Sequence, residues 1–216
     1  MNEISNIDLI RAFSQGVVNL PEIKNSVGNC ASIAIIKASI EVFGLNKVIE
    51  YHIIEEVYYI TLKNGIQLEF TKEQLERSNI VANFQLNSVD PGKFVLYQAI
   101  FEYAQILMCT MTIMVSKIGE SGEGIGDFEL ALIAINDGAD STSIPKLLGL
   151  DDYYIGKTKM KRFFMSPNNK GMFAWLLNHT VYMSEELYDY HGKVKFIPNK
   201  YPNRIRIVNT LQNQYK

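Results

Sequence analysis

One segment constrains the fold of this chain more than any other. The run Cys30-Ala31-Ser32-Ile33-Ala34-Ile35-Ile36-Lys37-Ala38-Ser39-Ile40-Glu41-Val42-Phe43 is apolar over most of its helical circumference and is followed by Gly44. Ile33, Ile36, Ile40 and Phe43 fall on one side at helical spacing, and Ala34 and Ala38 widen that stripe. A surface helix keeps a polar face toward water, so a helix this apolar belongs at the centre of the molecule. Other elements must wrap around it, and Gly44 is expected to end it as a left-handed cap. The segment also opens on a cysteine, directly after the turn Val27-Gly28-Asn29. Unpaired N–H groups and the partial positive charge of a helix start favour thiolate over thiol, which is what a cysteine nucleophile needs. The competing reading is a small core residue, the usual fate of a free cysteine.

Length and charge then remove whole classes of function. At 216 residues the chain is one domain, or two lobes sharing a core, long enough to bury most of its apolar surface. A net charge of -2 leaves no electrostatic footprint for nucleic acid or for a membrane surface. The densest basic run, Lys157-Thr158-Lys159-Met160-Lys161-Arg162, reads as a solvated face. Two cysteines, Cys30 and Cys109, make no disulfide framework. Residues 1–8 lack the basic start and apolar stretch of a secretory signal, and the longest apolar run, 106–115, is about half a membrane span. The expectation is a soluble, cytoplasmic protein with no cofactor and no metal. Its oligomeric state is left open.

Helices come first and strands later. Residues 7–15 read as a short helix capped by Asn6. Residues 57–62 and 66–70 are β-rich runs around Lys63-Asn64-Gly65, a strong hairpin signal. Thr71 and Gln74 form a capping-box pair ahead of another short helix. Asp90-Pro91-Gly92 is a turn, and 94–115 reads as a long buried helix. The glycine-rich stretch 119–126 has no phosphate-binding lysine and reads as a surface loop. Asp127 caps a helix over 128–135, and a further short helix starts at Thr142 or Ser143 and closes at Gly149. Strands are expected over 172–177, 180–183, 194–197 and 204–208. The fold class is α+β, with a mainly helical lobe over 1–170, including the hairpin, and a β-rich lobe over 171–216. A cleft between such lobes brings a helix-borne cysteine to face a strand-borne histidine.

The chain has three histidines. His52 lies among surface-like charges. His191 sits in Tyr190-His191-Gly192, a turn between strands, and is expected to lie outside any site. His179 opens the apolar run His179-Thr180-Val181-Tyr182-Met183, where a rigid strand would aim its ring as a general base requires. Further on, Arg204-Ile205-Arg206-Ile207-Val208-Asn209 alternates as a strand and ends on an amide. Placed behind a histidine, that amide would fix its tautomer.

The order Cys30, His179, Asn209 resembles that of papain-like cysteine peptidases, and the surroundings look most like the calpain branch. Lys24-Asn25-Ser26-Val27-Gly28-Asn29-Cys30-Ala31 is similar to that branch's Gln-Gly-x-Leu-Gly-Asp-Cys-Trp segment. Asn178-His179-Thr180-Val181-Tyr182 is similar to its Gly-His-Ala-Tyr strand, and residues 204–209 to its Arg-Leu-Arg-Asn-Pro-Trp strand. Residues 96–104 and 131–138 resemble the helices between. The resemblance spans about residues 20–210. It implies a papain-like two-lobe fold and a thiol hydrolase acting on peptide or isopeptide bonds of a peptide or protein substrate. In that scheme Cys30 is nucleophile, His179 is base and Asn209 orients the imidazole. The oxyanion hole falls to the Cys30 amide with Lys24 or Asn25, because Lys24 stands where the family has its glutamine. Ala31 replaces an aromatic residue, no tryptophan follows Asn209, and the calcium loops of calpains have no counterpart. The missing glutamine and tryptophan keep in view a binding or regulatory module with impaired turnover, and a further alternative is acyl transfer by the same Cys–His pair, with an amine replacing water as acceptor.

Overall fold

The computed structural model describes residues 4–16, 28–87, 90–118, 124–156, 170–176, 179–196 and 203–209. The oxyanion residues expected at Lys24 and Asn25, the basic run 157–162 and part of the glycine-rich stretch, 119–123, lie outside the described residues.

The first four helices in chain order are α1 (Asn6–Ala12), α2 (Cys30–Phe43), α3 (Lys72–Ala82) and α4 (Phe94–Lys117). The central position expected for residues 30–43 is the one observed, since every residue of α2 from Ala31 to Ile40 is buried. Gly44 ends the helix with the positive φ expected of a glycine cap, but at φ 97°, ψ 163° it lies outside the left-handed helical well, and its N–H reaches the Ile40 carbonyl. Helix α4 is the one helix among the described residues long and apolar enough to cross a membrane, and 67% of its most apolar window is buried inside the protein, as befits a core helix. Helices α1, α3 and α5 (Phe128–Gly138) pack on it. Ile125 and Gly126 donate to the carbonyls of Val115 and Ser116, so the described end of the glycine-rich stretch closes the last turn of α4.

Helix α1 ends at Ala12, short of the expected Gln15, and its cap is Ser5 instead of Asn6. Ser5 Oγ accepts from the Asp8 amide while the Asp8 carboxylate reaches back, a complete capping box. The chain then enters a two-residue strand, β1 (Phe13–Ser14), which pairs with β5 (Gln85–Leu86). Strands β2 (Glu50–Ile54), β3 (Val57–Thr61) and β4 (Gln67–Thr71) form an antiparallel meander, with Gly65 at φ 83° in the β3–β4 turn. Thr71 and Gln74 make the capping box that starts α3.

The larger sheet contains β6 (Tyr154–Ile155), β7 (Met172–Leu176), β8 (His179–Ser184), β9 (Leu187–Tyr190), β10 (Lys193–Phe196) and β11 (Asn203–Ile207), in the spatial order β10-β9-β8-β7-β11-β6. All its pairs are antiparallel. The fold is therefore mixed α and β with antiparallel sheets. Strand β6, from before residue 170, joins this sheet through β11.

Helix α2 lies against β7, β8 and β11, and a polar seam runs down the contact. Cys30, Lys37 and Glu41, seven and then four residues apart, fall on one helical face. Each meets a polar group of the strands or their connections: Cys30 the Thr180 amide, Lys37 the Asp189 carboxylate, and Glu41 the Ser184 hydroxyl and the Gly171 amide. Gly171, at φ 68°, is needed there because a Cβ would lie 2.2 Å from Val42 Cγ2.

Candidate functional site

The start of α2 is riveted to the helical side of the molecule. Asn29 is fully buried, and its side chain does not cap the helix. It donates instead to the Ala82 carbonyl at 2.8 Å and to Asn136 Oδ1 at 2.9 Å, joining the ends of α3 and α5. Gly28 passes so close to α5 that a Cβ would lie 2.7 Å from the Asp137 carbonyl. Cys30 is thus presented on a rigid base, half-buried, as the first residue of the helix.

On the sheet side, the Thr180 amide donates to Cys30 Sγ at 3.4 Å. Strand β8 pairs with β9 only at Met183–Tyr188 and Ser184–Leu187, so the two strands part toward Thr180 and leave that amide free for the sulfur. An N–H donor here complements negative charge on sulfur. The Thr180 hydroxyl is engaged with Ser141 Oγ at 2.7 Å, which ties the beginning of β8 to the segment after α5.

The gap between β8 and β9 is a narrow cleft. Gln15, Cys30, Ala34, His179, Asp189 and His191 are among its lining residues. The cleft as a whole has room for about one water molecule. The structure thus brings Cys30 and His179 to one cleft, the helix start facing the first residue of the strand. It also brings His191, which the sequence reading kept outside. The rings of His179 and His191 stack at 5.5 Å between centroids and 24° between planes, and the Tyr190 ring meets that of His191 edge-on at 5.1 Å.

His191 is in the turn expected of it. Tyr190 pairs with Lys193, and His191 and Gly192 have φ 52° and 78°, the two-residue loop with both central residues left-handed that suits a twisted hairpin. Asp189 holds this turn by accepting from the Gly192 amide at 2.7 Å.

Asn209 is not brought to His179. In the ladder Asn203 pairs with Trp175, next to the Leu176–His179 pair, whereas Arg206 pairs with Met172, which faces Met183. Asn209 lies three residues beyond Arg206 and is exposed. At ~3.3 Å per residue the offset exceeds ~13 Å along the strands. The antiparallel register explains the displacement: β11 runs away from the histidine end of the sheet, so its last residue is the farthest from it.

Three residues of the cleft escaped the sequence reading. His191 carried a usable signal, since a two-residue loop returns a chain beside the strand it has just left. Asp189 carried another in combination with Lys37, because a lone lysine inside an apolar helix needs a buried acid. Nothing local marks Gln15, which follows a two-residue strand. Among the described residues no three His, Cys, Asp or Glu side chains converge to hold a metal ion. Compared with protein-family models, curated proteins and solved structures, the chain matches none.

Proposed function

We propose that this protein is a cysteine-dependent hydrolase of peptide or isopeptide bonds, with a papain-like relation between a helical side carrying Cys30 and a sheet side carrying His179. The observation that carries the reading is the cleft at the start of α2, which a helix-initial cysteine and a strand-initial histidine both line and where the Thr180 amide donates to the cysteine sulfur. In the proposed cycle Cys30 Sγ attacks the substrate carbonyl carbon while its proton passes to His179. The imidazolium gives that proton to the departing amine as the C–N bond breaks. Water, deprotonated by His179, then attacks the thioester, and the C–S bond breaks to release the acid and regenerate the thiol. In this scheme the oxyanion is held by the Cys30 backbone amide at the helix start and by the carboxamide of Gln15, which lines the same cleft. His191, stacked on His179, restrains the orientation of that ring.

The test is alkylation of Cys30 by iodoacetamide at neutral pH, read by mass spectrometry on wild type, His179→Ala and His191→Ala. The reading expects Cys30 to react faster than a free model thiol. His179→Ala should slow it at least tenfold, and His191→Ala by a smaller factor. A wild-type rate at or below that of a model thiol would leave a binding module without turnover as the better reading. Turnover in which an added amine replaces water as acyl acceptor would point to transfer.

A further inference from the structure

Beneath the cleft, at the centre of the polar seam on α2, Lys37 is 0% exposed and its ammonium makes three contacts. It donates to Asp189 Oδ2 at 2.6 Å, to the Phe13 carbonyl at 2.7 Å and to the Ile10 carbonyl at 3.1 Å. The three hydrogens of an ammonium are thereby used, and the Phe13 ring lies 4.5 Å from the nitrogen. These partners belong to separate pieces of chain, each leading to the cleft. Phe13 and Ile10 bracket the exit from α1 toward Gln15. Asp189 holds the His191-Gly192 turn through its other oxygen. Lys37 itself stands two helical turns after Cys30.

From this arrangement we infer that Lys37 is a positioning residue, the strut that sets Gln15, His191 and Cys30 in register across the cleft. It touches no substrate. A buried lysine is a costly way to fill space, and an apolar residue would pack there without desolvating a charge. What an apolar residue lacks is the ability to gather two carbonyls and a carboxylate at one point. The partners are also set one against another: Gly192 packs against β1, where a Cβ on it would lie 3.1 Å from Ser14 Cβ. The strand before Gln15 and the turn bearing His191 therefore already touch, and Lys37 draws both onto α2. This inference rests on the reading of the cleft as a thiol site.

The test uses the full chain with the paired substitution Lys37→Met/Asp189→Asn, which removes both charges together and leaves no ion unpaired, and with Asp189→Asn alone, which keeps the two carbonyl contacts of Lys37 but removes its counter-charge. Two readouts are taken: the alkylation rate of Cys30, and the imidazole resonances of His179 and His191 with amide exchange at Gly192. The strut predicts that the paired variant melts cooperatively, that Cys30 alkylation falls at least fivefold, and that both imidazoles shift and Gly192 exchanges faster. Asp189→Asn alone gives changes in the same direction. Should the paired variant fail to fold, Asp189→Asn carries the test. Imidazole resonances and a Cys30 rate unchanged in a folded variant would overturn the strut. A wild-type Cys30 no faster than a model thiol, with imidazoles that still shift in the variants, would overturn the hydrolase reading and leave the strut standing.

Discussion

Asn29 is the residue through which the helical side of the molecule grips the nucleophile, and its replacement separates two physical accounts. At the start of a helix an asparagine ordinarily accepts from the first turn, and aspartate does this as well or better. Here its donors are the working part, aimed at the Ala82 carbonyl and Asn136 Oδ1, while its own Oδ1 is buried without a partner. In Asn29→Ala two buried acceptors lose their donors, at ~1–3 kcal/mol each, and one buried unpaired oxygen disappears, returning a similar amount. The net is a loss of about 2 kcal/mol, equivalent to ~4–8 °C in Tm for a chain of this size. In Asn29→Asp a carboxylate faces two oxygens. The helix dipole offers it ~0.3–1 kcal/mol in return, too little to offset two lost bonds and a buried charge. Asn29→Asp should therefore be less stable than Asn29→Ala at pH 7. It should recover as pH falls, because burial and the facing oxygens raise the pKa of the new carboxyl and its protonated form donates again. Urea unfolding followed by Trp175 fluorescence at pH 5 and pH 7 measures this. An Asn29→Asp variant as stable as wild type at pH 7 would refute the reasoning and make Asn29 an ordinary cap.

Three further outcomes are expected. Native protein should take up one equivalent of iodoacetamide and denatured protein two, because Cys109 is fully buried in α4 and burial pushes its thiol well above the ordinary range; two equivalents on the native protein would contradict its burial. Gly28→Ala should cost more than about 1 kcal/mol by urea unfolding and slow Cys30 alkylation, since the added methyl meets backbone of Asp137 and not a yielding side chain; a neutral effect would mean that α5 moves freely. Burial alone would raise the Asp8 carboxyl, but hydrogen bonds from Lys93 and Ser5 together with the Lys93 charge hold it below its ordinary value of 3.8. Its contribution to stability is then complete above the unfolded value and lost as pH falls through the lower folded one. Asp8→Asn should flatten the acid limb of urea midpoints between pH 4 and 2, and an unchanged limb would remove Asp8 from that account.

Much of the local structure was legible in the chain because its causes are local. The apolar stripe of residues 30–43, the Thr71–Gln74 capping box, Asp127 at the head of α5 and the Asn64-Gly65 turn each depend on residues a few positions apart, and each is observed. Strand β2 and the extent of β9, a strand implied only by the turn after it, were not legible for the same reason inverted. Strand β2 is an exposed edge with no alternation to see, and β9 carries Asp189 at a buried position that only Lys37, 152 residues away, makes tolerable.

The amino-acid sequence by itself determined that Cys30 would stand at the head of a buried helix and that His179 would open a strand, since periodicity and helix termini are properties of neighbouring residues. Which residues join them was decided only by the tertiary structure. A strand ladder converts sequence order into position through register and direction. The antiparallel run of β11 carries Asn209 away from His179, while the two-residue turn after β9 brings His191 back against it. Side chains that meet across a cleft share no local pattern, so Gln15, Lys37 and Asp189 became neighbours of the site only once α1, α2 and the sheet had closed on one another.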